Sequence, residues 1–273
     1  MSLYVYEQGP VSSPTIVFLH GGGGAGWMWQ PQLAALTNFH ILVPDLPEHG
    51  QSAEIKPFSI NNSVERVAEL IRTRAHNGRA HVVGLSAGAQ ISVALMALHP
   101  ELVDHAVISS ALVRPMPGAN LISPGLIAFS VKWFVEPFKN VDWWIRLNMK
   151  YSSGVPEKYY PQFKKDFQNL TGDLFAHITV ENQSFRLPQG LERVAAPTLV
   201  VAGKNEYGVM RQSVRDIASA IPAAKGFLIS HARKLSLAEE HNWNMTAPDL
   251  FTQMVRAWIT DQPLPVELQP MER

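Results

Sequence analysis

The 273-residue chain is long enough to bury a sizeable core, either as one large domain or as a core with an insertion. Hydrophobic residues make up 46% of it and charged residues 17%, a globular composition that disfavours intrinsic disorder. Lys plus Arg and Asp plus Glu number 23 each, so no excess charge indicates nucleic acid as a partner, and the lack of cysteine excludes disulfides and thiolate chemistry.

Two features of the sequence bear on where the protein resides. Residues 1–10 lack a basic start followed by an apolar stretch, so no signal peptide is predicted. The most apolar later segment, residues 121–135, contains Pro124, Gly125 and Lys132 and is too short to span a bilayer. We therefore expect a soluble, cytoplasmic protein without a membrane partner.

Short apolar, β-branched runs alternate with helical patterns along most of the chain. The predicted strands are residues 15–19, 41–44, a run ending at 81–83, 106–110, 198–202 and 226–230, and the predicted helices are 31–36, 63–76, 87–99 and 248–259. This alternation predicts an α/β fold with a mostly parallel, doubly wound sheet that helices cover on both faces. Functional groups in such sheets gather on loops at the carboxyl ends of the strands.

Residues 114–190 interrupt the alternation with prolines, helix formers and many aromatic side chains. We expect this segment to form a helical cap over the strand ends, inserted between core segments 1–113 and 191–273. Its apolar part, residues 121–135, is either a cap helix that faces the pocket or a contact within a homodimer. The proline-rich tail from Pro263 is expected to be a surface extension.

The segment Gly84-Leu85-Ser86-Ala87-Gly88 places a serine where a predicted strand runs directly into a predicted helix. The pattern G-x-S-x-G needs that context, because the tight turn strains the serine backbone and lifts its hydroxyl clear, while the glycines avoid collisions. The helix N-terminus that follows favours developing negative charge. An ordinary tight turn is the alternative, but the strand-to-helix context favours Ser86 as a nucleophile.

With these motifs the sequence resembles the α/β-hydrolase superfamily, in particular its esterase-like branch with a helical cap. The matching segments are HGGGG at 20–24, DLPEHGQS at 45–52, GLSAG at 84–88, PTLVVAGKNE at 197–206 and HNWNMTAP at 241–248. The resemblance implies the corresponding fold and a serine–acid–histidine triad in that chain order. No metal or cofactor is implied.

A serine hydroxyl needs a base to remove its proton, and a carboxylate must hold that base in one tautomer. Among the ten histidines, His231 and His241 both follow the last predicted core strand. The spacing of His241 before the final helix resembles the family's base, so His241 is favoured and His231 stays open as the alternative. The resemblance places the acid at Glu206, where the family usually has aspartate; a solvated surface glutamate is the alternative.

The tetrahedral intermediate of acyl transfer needs two backbone N–H donors. One should come from Ala87, the residue after the nucleophile. By resemblance, the other comes from the glycine-rich loop after the first predicted core strand, with Gly22 as the first candidate and Gly23 as the next. A phosphate-binding loop is a weak alternative for residues 21–26, because no Lys-Ser/Thr pair follows.

Aromatic side chains predict a mostly apolar pocket between cap and core for a small-molecule substrate. The candidate substrate-binding residues are Trp133, Trp143, Trp144 and Trp243. The alternative is that the aromatic side chains only hold the cap together. Glu48, where the family usually has glycine, could lie near the pocket mouth, but a solvated loop residue is the simpler interpretation. His49 is likewise expected at a surface or loop position.

Together these features favour a serine carboxylic-ester hydrolase that acts on small to medium apolar esters through Ser86, His241 and Glu206. By the same resemblance, a C–C bond hydrolase or a hydroxynitrile-lyase-like enzyme could use this triad, because a fold does not fix the reaction. A ligand-binding receptor with a hydrolase fold is an alternative from another class. Dehalogenases and epoxide hydrolases are disfavoured, since they use an aspartate where this chain has Ser86.

Overall fold

A single sheet of eight strands runs through the part of the chain that the computed structural model describes, residues 2–119 and 123–271. The strands lie in the order β1-β3-β2-β4-β5-β6-β7-β8. Their bounds are β1 Val5–Gln8, β2 Thr15–Leu19, β3 His40–Pro44, β4 Ala80–Leu85, β5 Val103–Ser109, β6 Thr198–Gly203, β7 Ala224–Ile229 and β8 Leu268–Pro270. Strands β2 to β7 pair in parallel, which confirms the predicted fold class.

Helices cover both faces of the sheet. Their bounds are α1 Gln30–Leu33, α2 Ile60–Arg74, α3 Ala87–Leu98, α4 Pro124–Phe134, α5 Asp142–Tyr151, α6 Tyr160–Asn169, α7 Gly172–Ser184, α8 Gly208–Ala220, α9 Leu237–His241, α10 Trp243–Thr246 and α11 Pro248–Ile259. None of the helices in the described ranges combines the length and apolar character needed to cross a bilayer.

The core forms because successive residues of a strand point to opposite faces of the sheet. Val17 and Leu19 of β2 pack in one cluster with apolar residues of α2, α3 and α8. Ile16 and Phe18, which alternate with them, pack in a second cluster with residues of α1, α10 and α11. All residues of β2 are buried, as the continuous apolar run in the sequence predicted.

The two edge strands were not predicted. Strand β1 pairs antiparallel with β3, and its half-exposed residues give a weak sequence signal. Strand β8 pairs antiparallel with β7 through residues 268–270. The expectation of a plain surface extension after Pro263 was therefore wrong for the end of the tail, because three of its residues complete the sheet.

Helices α4 to α7 all lie between β5 and β6, where the sequence predicted a helical insertion. Helix α7 packs against both α4 and α3, so it connects the insertion to the helix that follows Ser86. Residues 120–122, which include the first two of the predicted apolar segment 121–135, lie outside the described residues.

Candidate active site

Ser86 lies between the end of β4 and the start of α3 in a backbone conformation that L-residues rarely adopt, with φ 55° and ψ −115°. The flanking glycines explain how the chain turns so sharply. A Cβ atom on Gly84 would overlap the carbonyl oxygen of Gly88, and one on Gly88 would overlap the carbonyl of Leu19 in β2. The turn therefore has the strained, closely packed geometry that the motif predicted.

His241 and Glu206 are brought together by segments that follow different strands. Nδ1 of His241 lies 2.8 Å from Oε1 of Glu206. The other carboxylate oxygen of Glu206, Oε2, accepts hydrogen bonds from the Gly203 N–H at 2.7 Å and the Ser110 hydroxyl at 2.9 Å. The Glu206 side chain is only 2% exposed. Glu206 is thus a buried carboxylate with its hydrogen bonds satisfied, unlike the solvated glutamate of the alternative.

His231, the alternative base, has a different environment. Its ring packs edge-on against Trp243, with ring centroids 5.9 Å apart. Its buried Nε2 has no hydrogen-bond partner among residues 2–119 and 123–271. Burial lowers the pKa of His231 from its ordinary value, which disfavours the protonated state that a catalytic base must pass through.

The glycine-rich loop after β2 lies against Ser86. A Cβ atom on Gly21 would be 3.4 Å from the Cβ of Ser86. In the described part of the chain, the N–H groups of Gly22 and Ala87 have no hydrogen-bond partner, so both can serve a ligand. The N–H of Gly23 instead donates to Nε2 of His49 at 3.0 Å. Gly23 as an alternative donor was therefore wrong, because its hydrogen is already engaged.

Two buried histidines hold this loop. His49, expected at a surface or loop position, is 3% exposed and also contacts the Pro47 carbonyl through Nδ1. Burial, with a smaller effect of His20 nearby, lowers the pKa of His49 to about 3. Burial likewise lowers the pKa of His20 to about 4. Both rings are neutral near pH 7, so each offers one donor and one acceptor to the loop.

Ser86, Glu206 and His241 share one cavity of about 530 Å³, within the size range of small-molecule sites. Its apolar lining comes from core and cap alike: Leu112, Met116, Met210, Leu237 and Ala238. Polar side chains, among them Asn182 and Gln183 at the end of α7, complete the lining.

The four tryptophans predicted to bind substrate do not line this cavity. Trp243 is fully buried, and its Nε1–H donates to Ser109 Oγ at 2.9 Å. Trp133 and Trp143 are 59% and 63% exposed, and Trp144 packs against Trp143 and Phe138. The correction has a physical reason, since Trp243 fills the core, Trp133 and Trp143 are mostly exposed, and Trp144 packs against other aromatic rings.

The long match to a family model decides the classification. A model described as "Alpha/beta hydrolase family" matches residues 16–254, which include the serine turn, Glu206 and His241. The chain belongs to the α/β-hydrolase family. It is 30% identical over 270 residues to an "AB hydrolase superfamily protein" of Gibberella zeae, covering 95% of this chain and 85% of that one.

Other relatives of this hydrolase agree with the assignment. "Lipase 1" of Psychrobacter immobilis is 26% identical over 244 residues, which cover 85% of this chain and 75% of the lipase. The crystal structure of an enol-lactonase from Burkholderia xenovorans superposes with a TM-score of 0.73 at 22% identity, covering 94% of this chain and 96% of that one. The latter likeness shows the shared fold.

Two further polar residues near Glu206 were missed by the sequence interpretation. Ser110, which donates to Glu206, has a positive φ of 53° directly after β5. Glu240 is buried and accepts from the N–H and side-chain amide of Asn205, at 2.9 and 2.7 Å. Ser110 could have been found, because it follows a strand adjacent to the one before Glu206.

Glu48 connects the loop after β3 to helix α7 of the insertion between β5 and β6. Its Oε2 accepts from the Phe58 N–H at 2.7 Å and lies 2.8 Å from Nδ1 of His177 in α7. The Glu48 side chain is 9% exposed. Its interpretation as a solvated loop residue was therefore wrong. Asp45, in the same loop, accepts from the N–H groups of Gly26 and Gln51, as befits a structural carboxylate.

Proposed function

We propose that this hydrolase cleaves carboxylic esters through a triad of Ser86, His241 and Glu206. The observation that carries the proposal is the 2.8 Å contact between His241 Nδ1 and Glu206 Oε1 beside the cavity that also holds Ser86. A carboxylate on Nδ1 fixes the tautomer in which Nε2 is free to accept a proton. The related lipase of Psychrobacter immobilis supports ester substrates.

The first half of the reaction forms an acyl-enzyme. The Ser86 hydroxyl attacks the ester carbonyl while His241 takes its proton, and a tetrahedral intermediate results. The N–H groups of Gly22 and Ala87 donate to the oxyanion that develops. His241 then returns the proton to the alcohol oxygen as the C–O bond breaks and the alcohol leaves.

The second half releases the acid. Water attacks the acyl-enzyme, with His241 again taking a proton, and the collapse of the second intermediate breaks the bond to Ser86 and restores its hydroxyl. Throughout, the Glu206 carboxylate holds the ring of His241 in place and stabilises its imidazolium form. Its three hydrogen bonds keep it in place, so little reorganisation is needed when charge develops.

The cavity favours small to medium, uncharged esters. Its volume of about 530 Å³ suits a small molecule, and the five apolar residues of its lining suit a largely apolar substrate body. None of the described residues that line it is Lys or Arg, which would be expected for a strongly anionic substrate.

The test is hydrolysis of p-nitrophenyl esters of increasing acyl length, with Ser86→Ala as the control. We expect turnover by the wild type, a decline beyond the chain length that fills the cavity, and a loss of about 10⁴-fold or more in Ser86→Ala. Equal rates for wild type and variant would contradict the proposal.

A further inference from the structure

Two neighbouring amide side chains at the end of α7, Asn182 and Gln183, line the cavity that contains Ser86 and His241. Both are cap residues, so they face the catalytic groups from the side of the insertion. Their hydrogen bonds to the protein decide which end of each amide remains for a substrate.

The orientation of Asn182 is fixed by Gln90 of α3. Nε2 of Gln90 lies 2.6 Å from the Leu112 carbonyl and 3.1 Å from the Asn182 carbonyl, two atoms that can only accept. The same nitrogen lies 2.9 Å from Oδ1 of Asn182. Reversing the Asn182 amide would place one NH₂ group against another. Oδ1 of Asn182 therefore accepts a hydrogen bond within the protein, and Nδ2 remains available as a donor.

Gln183 is fixed in the same way by the backbone. The N–H of Met116, which can only donate, lies 2.8 Å from Oε1 of Gln183. This bond leaves the Nε2 end of Gln183 free. Within residues 2–119 and 123–271, neither Asn182 Nδ2 nor Gln183 Nε2 has a hydrogen-bond partner. Two residues that line the cavity thus each carry a free NH₂ group, which is a donor.

We infer that Asn182 and Gln183 form a subsite for an uncharged carbonyl oxygen of the substrate, separate from the carbonyl that Ser86 attacks. The inference rests on the proposed esterase function and names its substrate class: esters whose acyl chain carries a second acceptor, such as a ketone, an amide or another ester. An uncharged acceptor fits better than a carboxylate, because the cavity includes Glu206 and no lining Lys or Arg among the described residues.

The physical reason for selectivity is the cost of unpaired donors. A purely alkyl chain would displace water from two NH₂ groups without replacing its hydrogen bonds, which disfavours binding. Sites built to hydrogen-bond a polar group reject analogues that lack it more strongly than apolar pockets distinguish one methylene. A second carbonyl in the acyl chain restores the lost hydrogen bonds.

The test compares two esters of nearly equal shape, p-nitrophenyl 4-oxopentanoate and p-nitrophenyl 4-methylpentanoate. The informative variants are Asn182→Asp and Gln183→Glu, because a carboxylate oxygen can still accept from Gln90 or Met116, while the free NH₂ is replaced by a negatively charged acceptor. We expect the wild type to prefer the oxo ester by about tenfold or more in kcat/KM. Each variant should reduce this ratio by about tenfold.

The outcomes separate this inference from the proposed function. Ser86-dependent turnover of both esters with no preference in the wild type, or with a ratio that both variants leave unchanged, would overturn the subsite alone. If turnover is too slow to measure, the same ratio is taken from rates of inactivation by phosphonates that carry the two matched chains. Failure of both esters and both phosphonates to react at Ser86 would overturn the esterase proposal and the subsite with it.

Discussion

The core side and the cap side of the cavity differ in how their polar groups are used. On the core side, Glu206 holds three hydrogen bonds within the protein and is 2% exposed. On the cap side, Asn182 and Gln183 each use the oxygen of their amide within the protein, and the nitrogen of each amide has no partner in the part of the chain that the structure describes. If the proposals above hold, the groups for the reaction are fixed by the protein in advance, whereas the groups for recognition depend on the substrate for their hydrogen bonds.

The aromatic residues show the same contrast. Trp243 of the core is fully buried, contacts Phe251 with ring centroids 4.5 Å apart, and donates to Ser109. Trp133 of the cap is 59% exposed, and its ring centroid lies 6.0 Å from that of Phe129. Trp243 is therefore part of the buried core, whereas Trp133 lies mostly exposed on the surface.

The largest effect is expected for Glu206→Gln, which tests whether the buried carboxylate of Glu206 positions His241 for catalysis. An amide at this position would no longer hold His241 in the required tautomer or stabilise its charged form, so kcat should fall by about 10³- to 10⁴-fold. Steady-state hydrolysis of a p-nitrophenyl ester measures the effect. Glu240→Gln is the matched control, since Glu240 is equally buried but contacts Asn205 rather than His241. Equal losses of kcat in Glu206→Gln and Glu240→Gln would contradict a specific role of Glu206 in holding His241.

The second test compares Trp243→Ala with Trp133→Ala in stability. Removing the buried ring of Trp243 leaves a cavity and an unpaired Ser109 hydroxyl, so the free energy of unfolding should fall by about 3–5 kcal/mol. Removing the exposed ring of Trp133 should change it by no more than about 0.5 kcal/mol. Urea unfolding followed by circular dichroism measures both. Similar losses of unfolding free energy in the two variants would contradict the difference in burial between Trp243 and Trp133.

The third test uses pH to probe the loop of Gly23. Burial lowers the pKa of His49 to about 3 in the folded protein, below its ordinary value of 6.5. Between pH 3 and pH 6.5 the His49 side chain binds a proton in the unfolded chain but not in the folded chain. The stability that His49 contributes is therefore fully present above pH 6.5 and is lost as the pH falls below it. His49 should account for about 3 kcal/mol of that loss at pH 4.

The variant His49→Gln isolates this contribution. The variant should be less stable than the wild type at pH 7, but its stability should fall less steeply between pH 6.5 and pH 4. Urea unfolding at half-unit pH steps gives the two curves. A constant difference between them over this range would show that His49 does not titrate with a lowered pKa.

The smallest of the expected effects concerns Ser110 as a positioning residue. Ser110→Ala removes one of the three hydrogen bonds of Glu206, so kcat should fall by about tenfold while KM stays unchanged. The acidic limb of the pH–kcat profile should also move, because the charge of Glu206 is less well fixed beside His241. An unmoved profile in Ser110→Ala would indicate a merely structural role.

Local patterns explain why much of the fold and the serine turn were predictable. The central strands are continuous apolar runs, and Gly84 and Gly88 flank Ser86 within one short segment. The edge strands β1 and β8 were missed because they are short and partly exposed. Contacts between residues far apart in the sequence leave no comparable local pattern, so they were not predicted. Trp243 packs inward against Ser109, 134 residues away, and the amide orientation of Asn182 depends on Gln90, 92 residues away.

The central claim is that His241, held by Glu206, activates Ser86, and it is tested most directly by covalent labelling. A fluorophosphonate is added to the wild type, His241→Ala and His231→Ala, and adduct formation at Ser86 is followed over time by intact-mass and peptide mass spectrometry. We predict rapid labelling of the wild type, a rate within about fivefold for His231→Ala, and a loss of about 10³-fold or more for His241→Ala. Normal labelling of His241→Ala together with loss in His231→Ala would contradict the account.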